Sequence, residues 1–394
     1  MTVLGILTFV LAVAIYLPVT LLAPIPAIAA SGPAVAFPAT VAPVLSMPTY
    51  GASAISAIGF PEVLTEGGST NPLPIASITK IITTLVVLEK KPLAVGKAGP
   101  SIPFTAADEA IRKAYLARNG DVYPIRVGGT MSERDVLTVA LVASANNYAR
   151  ALADWAFGSE KNFLPAAKAW LVQHGMKSTT LTDSTGLNSA NRSTPSDLIA
   201  LGKIALANPL VSRIIAIRHT RLPVVGLIEN TNQLLGIEGI NGIKTGTLDS
   251  AGASLLFASS FTVGDQKITL VGVILDGPNH PAIDKQIRRL VASVRKGFSS
   301  VTLSTIGQRF GSYSTRWGAK TTAVATRDAS VVVWAGTPVR ASVHTDPIVL
   351  AAKGTVVGSA IFTVAGQTIT VPLALSSSVA DPGMWWRLTH PGKL

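Results

Sequence analysis

A serine and a lysine stand three residues apart in Pro74-Ile75-Ala76-Ser77-Ile78-Thr79-Lys80, where an apolar run begins. Ile78, Ile81, Ile82, Leu85 and Val86 recur at helical spacing, which places Ser77 and Lys80 one turn apart on one helix face. A hydroxyl and an amine held together at the positive end of a buried helix suit acyl transfer. The serine attacks, the amine takes its proton, and the helix start stabilises an oxyanion. The plainer reading is a helix-capping serine beside a solvated lysine. A second Ser-x-x-Lys, Ser293 to Lys296, closes an amphipathic pattern and is read as structural.

Two further stretches lift Ser77 above the plainer reading. Ser144-Ala145-Asn146 interrupts a helical pattern, and Lys244-Thr245-Gly246 occurs once, in a segment expected to be a strand. There the lysine supplies positive charge, the threonine a hydroxyl for a carboxylate, and the glycine lets a substrate backbone come close. Ser-x-Asn alone carries little, since Ser69 to Asn71 and Ser189 to Asn191 also match. Order and spacing carry the argument: 67 residues separate Ser77 from Ser144, and 100 separate Ser144 from Lys244.

The elements that must position these groups follow from periodicity and punctuation. Weak alternation from Tyr50 to about Thr65 predicts strands ahead of the Ser77 helix. Helical patterns run from Ala106 to Leu116, from Ser132-Glu-Arg-Asp135 (a capping-box pattern) and from Thr194-Pro195. Strands are predicted over Ala253 to Ser259 and Lys267 to Leu275, then a helix from Ile283 to Val294. Beyond about Ser300, short β-rich runs dominate, with a hairpin turn at Ala365-Gly366.

The chain has 394 residues, of which only 14% are charged and 48% are hydrophobic. Its formal charge is +12, which favours anionic partners. The basic residues are scattered, without interleaved aromatics, so nucleic acid is not expected. The absence of Cys excludes disulfides, thiol catalysis and thiolate metal sites. Val3 to Ala23 is uncharged and apolar, about long enough to cross ~30 Å of hydrocarbon. It reads as an uncleaved anchor, although Ala27-Ile28-Ala29 offers a small-x-small cleavage site. The expected division is an anchor or signal over 1–23, an Ala/Pro linker over 24–49, a catalytic domain over 50–300 and a β domain over 301–394.

At these residues the chain resembles the low-molecular-weight penicillin-binding proteins, serine-type D-Ala-D-Ala carboxypeptidases. PIASITKIIT, LVASANN, TDSTGLNSANRSTPSDLIALG and INGIKTGTLDSAGASLLFA look like the family's blocks in the family's order. KGTVVGSAIFTVAGQTITVPL looks like the β domain that follows the catalytic domain in many members. The resemblance implies an α/β, β-lactamase/transpeptidase-like domain, with an antiparallel sheet flanked by helices plus a helical lobe. A small all-β domain follows it, and an N-terminal transmembrane segment precedes it.

The resemblance also implies roles. Ser77 attacks the carbonyl of the penultimate D-Ala, and Lys80 is the general base, its pKa lowered by burial and by the Lys244 charge. Ser144 relays a proton, Asn146 orients the acyl chain, and Lys244 and Thr245 hold the terminal carboxylate. Gly246 belongs to the same motif, and the N–H groups of Ser77 and Thr247 form the oxyanion hole. The implied partners are peptidoglycan stem peptides ending in D-Ala-D-Ala, β-lactams, and the cell membrane through the N-terminal segment, with the catalytic domain outside it.

No cofactor is implied. No metal is either: the five His are dispersed, and His174 reads as packing or surface. The family commonly has Thr two residues after the Gly of Lys-Thr-Gly, where this chain has Leu248. A class A β-lactamase adds a Glu between Ser-x-Asn and Lys-Thr-Gly. Here no Glu occurs from Lys161 to Ile228; Glu160 lies in a charged turn, and Asp183 fits a turn better than a base. The alternatives are a β-lactamase, a DD-endopeptidase and a catalytically silent wall-binding protein.

Overall fold

A computed structural model describes residues 2–32, 35–38 and 41–393. Met1, Leu394 and positions 33, 34, 39 and 40 of the expected linker lie outside the described residues. The chain divides into two units: residues 43–297 form one, and residues up to 42 join those from 298 onward in the other.

The first unit is built on a five-stranded antiparallel sheet. Its strands are β1 (Ala52–Ala57), β2 (Phe60–Gly68), β3 (Ile240–Leu248), β4 (Gly252–Val263) and β5 (Gln266–Gly277), in the order β2-β1-β5-β4-β3. Strand β3 is therefore an edge, with one row of backbone groups open to a partner. The N-terminal helix is α1 (Thr2–Leu21), which belongs to the other unit. In the first unit α2 (Thr79–Lys90) carries the apolar run, and every residue from Thr79 to Leu88 is buried. Burying each large aliphatic side chain contributes about 1.5–3 kcal/mol, so this helix is fixed by its surroundings rather than by propensity.

Around α2 lie α3 (Ala106–Leu116), α4 (Glu133–Val142), α5 (Asn146–Phe157) and α6 (Glu160–Gln173), the helical lobe expected from the sequence. Ser132 caps α4 by accepting from Asp135 N–H, without the reciprocal bond of a full capping box. Helix α7 (Pro195–Ala207) begins as expected, with Thr194 as N-cap and Pro195 at the first position. The short α8 (Pro209–Ile215) follows it.

Helices cover both faces of the sheet. On one, α7 presses close at Gly202, where a Cβ would come 2.5 Å from Val271 Cγ1. On the other, α9 (His280–Arg295) buries Ile283, Ile287, Leu290, Val291 and Val294, and Arg295 stacks over Phe261. Ser293, the second Ser-x-x-Lys serine, donates to Leu290 O and accepts from Ser46 N–H, so its hydroxyl is structural.

In the second unit, β6 (Phe298–Ser304) pairs with β9 (Ala329–Trp334). A five-stranded sheet runs β7-β8-β12-β11-β10, comprising β7 (Arg309–Ser314), β8 (Lys320–Ala325), β10 (Val339–Thr345), β11 (Val356–Val364) and β12 (Gln367–Leu375). Ala365 and Gly366 both take positive φ, as a two-residue hairpin requires. The Ala/Pro stretch departs from a free spacer over its first part. Ile28 exchanges backbone hydrogen bonds with Ile348 and Ser31 with Ser312, while Ile28, Ala30, Val35 and Phe37 pack on the β core. An unperiodic, Pro-rich segment gives no sequence signal of such docking.

Helix α1 exposes apolar side chains all round, from Val3 to Leu22, and its 19-residue window Val3–Leu21 is long and apolar enough to cross a membrane. The short α10 (Met384–Thr389) lies at its C-terminal end, where Arg387 donates to Leu21 O and Ala23 O.

The contact at Gly202 makes a test of the core. Gly202→Val should destabilise the first unit by about 1–3 kcal/mol through overpacking, seen as a lowered thermal midpoint. An unchanged midpoint would contradict the packing described.

Candidate active site

Ser77 occupies a single 3-10 turn, Ala76–Ile78, that runs directly into α2. Its side chain does not cap the helix; the hydroxyl instead accepts a hydrogen bond from Lys80 Nζ at 2.6 Å. Capping was the plainer reading of this serine, and the geometry replaces it with a direct pair. Ala76, just before it, sits at φ 46°, a conformation that costs a non-glycine residue about 1–3 kcal/mol and is held only by its surroundings.

Lys80 has no exposed surface. Its amine also donates to Thr185 O at 2.9 Å. Burial lowers its pKa to about 7, and the charges of Asp121 and Asp183 oppose the shift. Near neutral pH a substantial fraction of this amine is therefore free to accept a proton. Lys244, also buried, is pushed well below its ordinary range by burial first and then by the charge of Lys80. The expected contribution of the Lys244 charge to the Lys80 shift is not found: burial dominates at Lys80, and the repulsion is felt at Lys244.

The carbonyl that holds Lys80 belongs to a loop that fixes itself. Asp183 Oδ1 accepts from Thr185 N–H at 2.6 Å and Gly186 N–H at 2.6 Å, and its Oδ2 accepts from Asn188 N–H at 2.8 Å. That is the turn role expected for Asp183. Asn191 ties the loop to α2 by donating to Thr79 Oγ1, and Thr83 donates to Ser184 O at 2.7 Å. Glu160 accepts from Ser184 N–H and Oγ through one oxygen, and from Arg150 through the other. Gly186 is at φ 85°, and a Cβ there would overlap Ala76 O, so only glycine lets the loop reach the nucleophile turn.

Strand β3 brings the third motif to the same turn. A Cβ at Gly246 would sit 2.9 Å from Ile75 O, 3.0 Å from Ala76 Cβ and 3.5 Å from Ser77 N. Side chains alternate along a strand, so Thr247 faces the α9 side, where its hydroxyl lies 2.8 Å from His280 Nε2. Lys244 Nζ is within 3.3 Å of Thr231 Oγ1, Thr245 O and Thr245 Oγ1, and the two threonine hydroxyls are bonded to each other. Leu248, one register step beyond Thr247, pairs with Gly252 at the end of the hairpin.

Ser144 is 2% exposed and holds φ 61° in the break between α4 and α5. Asn146 opens α5, its N–H bonded to Asp121 O at 2.7 Å. A Cβ at Gly120 would come 2.9 Å from Asn146 Nδ2 and 3.4 Å from Leu187 Cδ2, so the break meets the 182–191 loop.

Ser77, Lys80, Lys244, Thr245 and Gly246 thus converge, Asp183 and Thr185 come in with the 182–191 loop, and Thr231 and His280 join them without a sequence signal of their own. His174 stacks on Trp170 and bonds its carbonyl, in keeping with packing. Among the described residues, no group of three or more His, Cys, Asp or Glu is placed to hold a metal ion.

The Gly246 approach is testable. Gly246→Ala should cut the rate of Ser77 acylation by about 10²-fold with the fold retained, because displacement by a fraction of an ångström misaligns the reacting groups. Acylation at the parent rate, timed by rapid-quench labelling, would show that β3 does not need this contact.

A family model described as D-alanyl-D-alanine carboxypeptidase, peptidase S11, matches residues 59–279. A D-alanyl-D-alanine endopeptidase of Pseudomonas aeruginosa is 32% identical over 216 residues, 52% of this chain and 65% of the relative. The D-alanyl-D-alanine carboxypeptidase DacC of Escherichia coli is 29% identical over 247 residues, 61% of this chain and 60% of the relative. The matched part thus spans less than two thirds of either relative's own length. Penicillin binding protein 5 from Haemophilus influenzae shares the fold, with a TM-score of 0.59 at 20% identity, covering 88% of this chain and 100% of that one. The chain belongs to the D-alanyl-D-alanine carboxypeptidase family, peptidase S11.

Proposed function

We propose that this chain is a serine D-alanyl-D-alanine carboxypeptidase that trims peptidoglycan stem peptides and is acylated by β-lactams. The observation that carries the reading is the 2.6 Å bond between Ser77 Oγ and an amine whose burial holds its pKa at about 7. Lys80 takes the Ser77 proton as Oγ attacks the carbonyl carbon of the penultimate D-Ala. The oxyanion that forms lies against the N–H groups of Ser77 and Thr247. The peptide bond breaks as Ser144 relays to the departing amine the proton that Lys80 took, giving its own hydrogen and receiving that of Lys80, and terminal D-Ala leaves an acyl-Ser77. Asn146 orients the acyl chain, and water then releases it.

Lys244 and Thr245 receive the terminal carboxylate. Burial disfavours the Lys244 cation in the free site, and a bound carboxylate restores it, so binding energy and charge recognition are coupled there.

Deacylation has no dedicated base. Glu160 is occupied by Ser184 and Arg150, and Asp183 by its own loop, so neither carboxylate is free to activate water. A penicilloyl-enzyme should therefore persist for minutes, since general-base help is worth about 10²–10⁴ in rate. That separates the reading from a β-lactamase. An endopeptidase acting on D-Ala cross-links is the second reading, favoured by the name of the Pseudomonas aeruginosa relative. The reading places α1 as a membrane anchor with the first unit outside the membrane, supported by the exposed apolar surface of α1.

Free D-Ala should appear when the full-length chain meets a pentapeptide ending in D-Ala-D-Ala. Ser77→Ala should abolish both this release and covalent labelling by fluorescent penicillin. D-Ala release by Ser77→Ala at the parent rate would refute the nucleophile, and cleavage of cross-linked dimers alone would favour the endopeptidase. A chain that takes no label and releases nothing would be the catalytically silent wall-binding protein.

The pH profile has a definite sign. Lys80 works as the free amine, so the acylation rate should rise with pH and be half-maximal near pH 7. A rate that is flat from pH 5 to 9 would remove Lys80 as the base.

A further inference from the structure

His280 is the first residue of α9, a helix whose start is fixed by Asn279 Oδ1 accepting from Ala282 N–H at 2.9 Å. Five buried residues seat that helix on the sheet, so the His280 ring is carried by a rigid element and not by a loop. Its Nε2 lies 2.8 Å from Thr247 Oγ1, on the edge strand that carries Lys244 and Thr245. Thr247 is itself exposed, so its hydroxyl borders the open edge.

A threonine hydroxyl has one hydrogen to give. If that hydrogen points at His280, Thr247 offers the cleft only lone pairs, which repel a carboxylate. If His280 donates instead, the hydrogen is free for a carboxylate beside Lys244 and Thr245. Burial, and then the charge of Lys244, lower the His280 pKa, so the ring is neutral near pH 7 and one nitrogen carries its hydrogen.

We propose that His280 is a positioning residue for substrate selection: donating from Nε2 to Thr247 Oγ1, it aims the Thr247 hydrogen at the substrate's terminal carboxylate. It acts through Thr247 and touches no reacting atom. The proposal rests on the carboxypeptidase reading above and adds to it the group that makes Thr247 a donor.

The test compares kcat/KM of the full-length chain on two peptides, identical except that one ends in the D-Ala-D-Ala carboxylate and the other in its carboxamide. His280→Leu should reduce the preference for the carboxylate about tenfold, mainly through KM, as expected for one hydrogen bond to a charged group. His280→Gln, whose side-chain N–H can reach Thr247, should keep most of the preference. Thr247→Val should lose as much as His280→Leu, and the double variant should lose no more than Thr247→Val alone.

A purely structural role would lower both rates together and leave the ratio unchanged, and that result overturns the proposal. Additive losses in the double variant overturn it as well. Should His280→Leu fail to fold, an unchanged preference in Thr247→Val is decisive against it. A parent chain that cleaves neither peptide refutes the carboxypeptidase reading itself, and the proposal with it.

Discussion

An ammonium group with no exposed surface is the constraint on which the site depends. Lys80 lies in a helix whose neighbours from Thr79 to Leu88 are all buried, and placing a charge there is disfavoured by several kcal/mol. The protein answers with two acceptors, Ser77 Oγ and Thr185 O, and with the more distant charges of Asp121 and Asp183. These groups satisfy the amine's hydrogen bonds without supplying a full counter-ion. The amine therefore stays near its point of proton exchange, bonded to the hydroxyl that the proposed mechanism has it activate. A salt bridge at the same place would keep the lysine charged and unable to take a proton.

Much of the surrounding architecture serves to hold that arrangement still. The 182–191 loop is saturated by its own Asp183 and tied to α2 through Thr83 and Asn191. Two glycines let backbone close on the Ser77 turn from opposite partners, Gly186 from the loop and Gly246 from the edge strand. The strained φ of Ala76 falls at that turn and the strained φ of Ser144 in the break between α4 and α5, two places where surrounding structure must over-determine the backbone. The edge position of β3 leaves that strand with a neighbour in the sheet on one side only.

Legibility from sequence followed the range of each interaction. The α2 helix, α3 over Ala106–Leu116, the Thr194-Pro195 start of α7 and the Ala365-Gly366 turn rest on local periodicity or turn chemistry, and all were readable. The Ser77, Lys80 and Lys244 motifs were readable because their order and spacing are specific. The details that tune them were not. Thr231 meets Lys244 across 13 residues of unremarkable sequence, and Thr185 contributes a backbone carbonyl, which any residue type supplies. His280 was passed over because an isolated histidine has no spacing signal; only the seating of α9 on the sheet brings it to Thr247. The docking of residues 28–31 on the β sheet was hidden for the same reason, since backbone pairing at an edge leaves little mark on side-chain identity.

The central claim is that burial, without a counter-ion, delivers a neutral Lys80 to Ser77. Direct titration of the Lys80 amine tests it most plainly, by NMR of the isotopically labelled full-length chain, with Lys80→Arg to assign the signal. The expected midpoint for this lysine lies near pH 7. A Lys80 that remains charged to pH 9 or beyond would contradict it, and would require another group to take the proton from Ser77.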